Sequence, residues 1–259
     1  MTAADAAIEA VATTERLLVA LDFDGTLSPL VDEPMTARMT PGARAVLAEL
    51  AALPRTTVAL VSGRTLADLR VIAEHDDDSP WWLMASHGAE SWEPGAVVAA
   101  GADDDADLAL RDRLTREVAA AIAALPGVHV EPKQFGLGVH TRTADADTAA
   151  TAREIADRVL AADAPQWRRR TGHDILEFSF RHEGKDSAVA HLRARLDATA
   201  VLFAGDDVTD EDALRSLDAG DLGIHVGTAD TAATLCVDDI DAFVDVLERV
   251  ARLRRAHTP

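Results

Sequence analysis

Of the 259 residues only two are lysine, Lys133 and Lys185, only one is cysteine, Cys236, and none is tyrosine. A single cysteine excludes an internal disulfide, and with Leu235 and Val237 beside it Cys236 reads as a structural thiol on a buried strand. Aromatic residues make up 4% of the chain, and no apolar run approaches the length of a membrane span. The N-terminal region carries Asp5, Glu9 and Glu15 and lacks the basic start and apolar stretch of a signal peptide, so a cytoplasmic location is expected. Basic charge is also scarce: 25 Lys and Arg against 45 Asp and Glu leave a net charge of −20. Nucleic-acid grooves need concentrated cations, so a nucleic-acid partner is excluded, and no membrane partner is expected.

What remains is the composition of a folded globular protein, 48% hydrophobic and 27% charged, long enough for one large domain or two modest ones. The acid excess has two readings: a GC-rich genome that favours Arg, Ala and Asp codons, or adaptation to high salt, where an acidic surface stays hydrated and its self-repulsion is screened. Where lysine is otherwise missing, the two that persist are candidates for positions a planar guanidinium cannot serve.

Residues 17 to 22 form a short apolar run ending in Asp22, the pattern of a strand buried on both faces of a parallel sheet. Runs at 57–62, 82–86, 201–206 and 222–226 repeat it, mostly with polar residues at the carboxyl end, the edge where ligand chemistry sits in open α/β sheets. Helical patterns at 41–53, 65–74, 185–196 and 211–217 alternate with them. The expected fold is therefore α/β: a doubly wound, mainly parallel sheet, Rossmann-like in its winding. The middle differs. A helix over about 107–125, paired segments 127–133 and 136–142, a helix over about 146–160 and paired segments 166–171 and 174–180 describe a smaller α/β layer. We expect a core from 1–100 and 184–259, with an inserted cap over 101–183. A closing amphipathic helix is expected over 238–255.

The strongest chemical signal is Asp22-Phe23-Asp24-Gly25-Thr26-Leu27. Residues two apart on extended chain face the same way, so Asp22 and Asp24 bring two carboxylates together at a strand end. A divalent cation with oxygen ligands offsets their repulsion, and Mg2+ does so while keeping room for phosphate oxygens and water. Gly25 permits the turn out of the strand. Ser62-Gly63-Arg64 ends a second strand before a helix, where a hydroxyl and free N–H groups can hold a phosphate. Lys185 opens the helix after the cap, where its ammonium could take a phosphoryl oxygen. Gly205-Asp206-Asp207 and Asp210 follow another strand and supply further carboxylates for a metal.

These four clusters, in this order, resemble the motifs of the haloacid-dehalogenase-like phosphatase superfamily. The resemblance implies that Asp22 attacks phosphorus to form an aspartyl-phosphate, that Asp24 is the acid and base and also touches Mg2+ through its backbone carbonyl, and that Asp206 completes the metal's protein ligands. Asp207 and Asp210 would orient waters or ligands from outside the coordination sphere, and Ser62, Gly63 and Lys185 would hold the phosphoryl group. A receiver domain also combines acids, a hydroxyl and a lysine, but its phosphorylated Asp follows a later strand and it needs no cap.

Within the cap segment, Glu131 and Lys133 lie two apart on one strand and His140 and Arg142 two apart on the next, so each pair shares a sheet face. Carboxylates and cations on one face suit a polyhydroxylated sugar, and equally suit ion pairs on a solvated surface. With Ser86-His87-Gly88-Ala89-Glu90 and Glu177, the pattern resembles trehalose-6-phosphate phosphatases over nearly the whole chain from about Leu17. That resemblance assigns the trehalose unit to Glu131, Lys133 and Glu177, places His140, Arg142 and His87 at the substrate, and implies a functional link to a trehalose-6-phosphate synthase. Thr141 stands where the family often has Tyr, and is expected to face away from His140 and Arg142. The competing readings are a phosphatase for a sucrose, mannosylglycerate or aminocyclitol phosphate, and a phosphate- and Mg2+-binding module without turnover.

Overall fold

The structure, a computed structural model, describes residues 2–95, 105–172 and 174–257. In chain order the elements are α1 (Ala3–Ala12), β1 (Leu17–Leu21), α2 (Pro41–Ala52), β2 (Thr56–Val61), α3 (Leu66–Ile72), β3 (Trp82–Ala85) and β4 (Glu90–Trp92). Then come α4 (Asp105–Ile122), β5 (His129–Lys133), β6 (Gly136–His140), α5 (Ala146–Asp163), β7 (Arg168–Gly172) and β8 (Ile175–Ser179). The chain closes with α6 (Lys185–Leu196), β9 (Ala200–Gly205), α7 (Glu211–Arg215), β10 (Leu222–Val226), β11 (Leu235–Val237) and α8 (Ile240–His257). Contacts divide it into two compact units, Met1–Ala99 with Glu183–Pro259, and Ala100–His182. No described helix is long and apolar enough to cross a membrane.

The first unit is built on a seven-stranded sheet of order β11-β10-β9-β1-β2-β3-β4, parallel except for β4. All five residues of β1 are buried because both faces are covered. Leu17, Val19 and Leu21 join a core with α1, α2, α3 and α8, whereas Leu18 and Ala20 pack toward α6 and α7. Helix starts are fixed locally: the Thr40 hydroxyl accepts the Ala43 N–H at 3.2 Å ahead of Pro41, and the Ser187 hydroxyl accepts the Gly184 N–H at 2.8 Å at the head of α6. At the opposite end of the unit the fully buried Arg254 of α8 donates to the carbonyls of Ala12, Thr14 and Arg55 at 3.1, 2.8 and 2.6 Å and to the Thr56 hydroxyl at 2.5 Å. One guanidinium thereby ties down the segments that enter β1 and β2.

The second unit is a four-stranded antiparallel sheet of order β5-β6-β8-β7. Leu137, Val139, Leu176 and Phe178 pack on Leu114, Val118 and Ile122 of α4 and on Ala152, Ala156 and Leu160 of α5. By strand alternation Glu131, Lys133, Gly138, His140 and Glu177 lie on the face opposite those helices. Thr141 is 2% exposed; its hydroxyl donates to the Asp174 carbonyl and accepts from Arg153 of α5, both at 3.2 Å.

Two sequence expectations change. Cys236 does lie on a strand, but β11 is a three-residue edge strand and the thiol is exposed rather than buried. The closing helix starts at Ile240 rather than 238, after Asp239 takes the Ala242 N–H at 2.9 Å as a cap.

Candidate active site

Asp22 directly follows β1, and its N–H still donates to Ala204 of β9 at 2.9 Å, so the sheet ladder itself fixes where its side chain leaves the backbone. The residue is 5% exposed. Lys185 Nζ donates to Asp22 Oδ1 and to Asp210 Oδ1, each at 2.6 Å, and the Thr26 hydroxyl donates to Asp22 Oδ2 at 3.2 Å. The other Asp210 oxygen accepts the Asp207 N–H at 3.1 Å, which holds the turn after β9. Gly25 has φ +82°, and a Cβ placed there would overlap the Asp206 carboxylate. Glycine is thus required twice at this position, for its left-handed backbone and for the space that lets the loops after β1 and β9 interlock.

Asp22, Asp206 and Asp210 each offer an oxygen within 4.8 Å of the others. Burial raises the Asp22 pKa well above the carboxylate range; Lys185 opposes this, while Asp210 and Asp206 add to it. Asp206 is pushed up to about 7 by burial and then by Asp210. Burial acts to lower the Lys185 pKa, but Asp210 and Asp22 more than offset it and hold the ammonium charged. One cation among three clustered carboxylates leaves negative charge unbalanced, and the all-oxygen donor set is the kind a hard divalent cation takes. The residues fit Mg2+.

The Asp24 carboxylate points elsewhere: Arg64 Nε and Nη2 grip Oδ2 and Oδ1 at 2.9 and 2.8 Å, a two-point pair that is half-buried on both sides. This partner of Asp24 was not legible in the sequence, where Arg64 showed only as the residue after a Ser-Gly turn.

Ser62 and Gly63 close β2 against the loop after β3. The Ser62 hydroxyl, on a 2% exposed residue, accepts the Arg64 N–H at 3.1 Å. The Ser62 carbonyl accepts the His87 N–H at 2.9 Å, and the Arg64 carbonyl accepts the Ser86 N–H at 2.7 Å. Ser86, His87 and Gly88 have φ of 47°, 58° and 108° in succession. Two consecutive non-glycine residues in the left-handed region store strain, and Glu90 holds them there by taking the Ser86 hydroxyl at 2.5 Å and the Leu66 N–H at 3.1 Å. The result sets the His87 ring on Gly63, where a Cβ would lie 2.8 Å from two ring atoms. Ser62, Gly63 and His87 therefore form one cluster.

In the second unit, Lys133 Nζ lies 2.8 Å from Glu131 Oε2 and 3.7 Å from Glu177 Oε1. His140 Nε2 is 2.6 Å from the same Glu131 oxygen and stacks on His129 at 4.6 Å between centroids. The His140 hydrogen bond, opposed by burial and reinforced by Lys133, lowers the Glu131 pKa to about 2. The structure thus joins Glu131, Lys133, His140 and Glu177, while Arg142 lies exposed beyond the end of β6. His129 is an added member, two residues before Glu131 on the same strand and so on the same sheet face.

A family model described as trehalose-phosphatase matches residues 20–239. A trehalose-phosphate phosphatase of Mycolicibacterium paratuberculosis is 34% identical over 248 residues, covering 90% of this chain and 61% of that protein. One from Mycobacterium tuberculosis is 32% identical over 249 residues, covering 92% and 62%. The chain therefore spans about three fifths of the length of these curated relatives. Among solved structures, the trehalose-6-phosphate phosphatase C-terminal domain of C. albicans superposes with a TM-score of 0.80 at 21% identity, covering 97% of each chain. The trehalose-6-phosphate phosphatase of Aspergillus fumigatus gives 0.70 at 24% identity, covering 96% of each. At such identities these structures speak to the fold alone. With the family model covering most of the sequence and the strand-end carboxylates in place, this chain belongs to the trehalose-phosphatase family.

Proposed function

We propose that the chain hydrolyses trehalose 6-phosphate to trehalose and phosphate, with Mg2+ held by Asp22, Asp206 and the Asp24 carbonyl and with Asp207 and Asp210 shaping the surrounding ligands. The observation that carries this reading is the Asp22 carboxylate, buried against a lysine and two further acids at the carboxyl end of the central strand. When bound, the metal would supply charge neutralisation for the nucleophile and the transferring phosphoryl group.

Lys185, fixed between Asp22 and Asp210, keeps a positive charge beside the nucleophile and can turn toward a phosphoryl oxygen. The Ser62 hydroxyl and Gly63 N–H are the remaining phosphoryl donors, with His87 seated over them. An Asp22 oxygen attacks phosphorus, a P–O bond forms as the bond to the sugar oxygen breaks, and the leaving oxygen takes a proton from Asp24. Water then attacks phosphorus, gives its proton to Asp24 and releases Asp22. Arg64 acts here as the residue that aims Asp24. Sugar hydroxyls need both donors and acceptors, and Glu131, Lys133, His140 and Glu177 offer that mixture in one cluster. The reaction that must supply the substrate is that of a trehalose-6-phosphate synthase. The acidic surface supports activity retained in molar salt.

The test is phosphate release with Mg2+ from trehalose 6-phosphate beside glucose 6-phosphate and sucrose 6-phosphate, at low and molar salt, with Asp22→Asn as control. Strong preference for trehalose 6-phosphate, lost in the variant, is expected; preference for another sugar phosphate would keep the nucleophile and overturn the sugar assignment.

A further inference from the structure

Strand β6 carries a glycine that its backbone does not require. Gly138 stands between Leu137 and Val139, both fully buried on the helix side, so a side chain at 138 would rise from the opposite face. It is not among the described glycines with positive φ, and glycine in mid-strand weakens a strand or marks a close approach. Gly136 is a contrast, since a Cβ there would strike the Phe178 carbonyl, which makes glycine a demand of the fold. At Gly138 a Cβ would meet only side chains, Ile175 Cδ1 at 3.1 Å and Lys133 Cε at 3.3 Å.

The register explains why that space matters. Gly138 lies opposite Glu131 on one side and Glu177 on the other, so the two carboxylates flank it across three adjacent strands. The ammonium of Lys133 reaches 2.8 Å from one and 3.7 Å from the other. A lysine rooted on β5 can approach a carboxylate on β8 only by laying its methylene stem across β6, and the stem lies where a 138 side chain would stand.

We infer that Gly138 is a positioning residue for sugar recognition: its bare backbone seats the Lys133 stem, so that the ammonium holds Glu131 and Glu177 as a preformed pair for saccharide hydroxyls. The inference rests on the reading of this cluster as the sugar site. Gly138→Val should lift the ammonium and raise KM for trehalose 6-phosphate about tenfold while leaving kcat within about twofold. Turnover of p-nitrophenyl phosphate, which has no sugar, should not change, and Tm should not fall, because valine suits a strand.

The deciding comparison is a cycle with Lys133→Ala, which should raise KM alone and leave nothing for Gly138→Val to add. If the two increases multiply, or if Lys133→Ala raises KM while Gly138→Val does not, the seat is wrong and the sugar site stands. If Lys133→Ala leaves KM unchanged, the sugar-site reading fails and takes the inference with it. Should valine distort the strand, Gly138→Ala, which asks Ile175 Cδ1 and Lys133 Cε each to shift by a few tenths of an ångström, should give a smaller KM rise at unchanged Tm; no rise there would equally overturn the seat.

Discussion

Asp206 makes the metal-free protein less stable as pH rises. Its folded pKa stands at about 7 against an ordinary 3.8, raised by burial and by Asp210. Between those values the folded chain holds a proton that the unfolded chain has released, so stability is full below about pH 4 and is lost as pH rises through 7. At about 1.36 kcal/mol per pH unit, moving from pH 5 to pH 8 costs on the order of 3 kcal/mol. For a chain of this size that is a fall in Tm of about 5 °C. The assay is thermal unfolding in EDTA at both pH values for the wild type and Asp206→Asn. His75, whose pKa burial lowers, contributes the opposite slope, so the quantity to read is the wild-type minus variant difference. Mg2+ should reverse the fall, adding more to Tm at pH 8 than at pH 5, where it must displace a proton. An Asp206→Asn profile parallel to the wild type, or equal Mg2+ gains at both pH values, would refute the charge balance described for this site.

Arg64→Ala should lower kcat by roughly 10- to 100-fold with little change in KM, since it frees the Asp24 carboxylate and leaves the side chain of Ser62 and the backbone of Gly63 in place; steady-state kinetics with Arg64→Lys as partial rescue checks this. Gly25→Ala should cost about 1–2 kcal/mol for its left-handed backbone alone and also abolish the Mg2+-dependent gain in Tm, because the new Cβ displaces Asp206; calorimetry with and without Mg2+ reads both. Arg254→Met should lower Tm by about 5 °C or more through the carbonyls it leaves without a donor, with kcat and KM unchanged well below the transition. Cys236, exposed on the edge strand, should react with a thiol reagent without denaturant.

The elements that could be read in the sequence were those whose signal is continuous. The five apolar residues before Asp22, the repeats of that pattern at β2, β9 and β10, and the two lysines in an otherwise lysine-free chain all carry their meaning locally. Helix α6 could be read at both ends because Lys185 opens it after glycine. Features made by two loops meeting could not. The grip of Arg64 on Asp24 joins residues forty positions apart, and the second role of Asp210, holding Lys185 while accepting the Asp207 N–H, depends on the turn that follows β9. The left-handed Ser86 and His87 have no compositional mark, since only Gly88 announces such a backbone. Helix α1 escaped notice because its alanine-rich face gives little contrast, and β4 because three residues are too few to show a period. Cys236 misled for the same reason: apolar neighbours on a short edge strand do not bury the residue between them.

The pairing of β1 with both β2 and β9 has a consequence for how the chain is made. Synthesis proceeds from the N-terminus, so β1 to β4 emerge early, yet the strand that covers the other side of β1 follows only after the whole second unit has been produced. Until then a half-sheet presents the bare rim of its most apolar strand, the kind of rim along which nascent chains join one another. The excess of acidic over basic residues along the chain then acts during folding itself: mutual repulsion keeps unfinished chains apart during the interval in which the strand leading to Asp22 is still waiting for its neighbour.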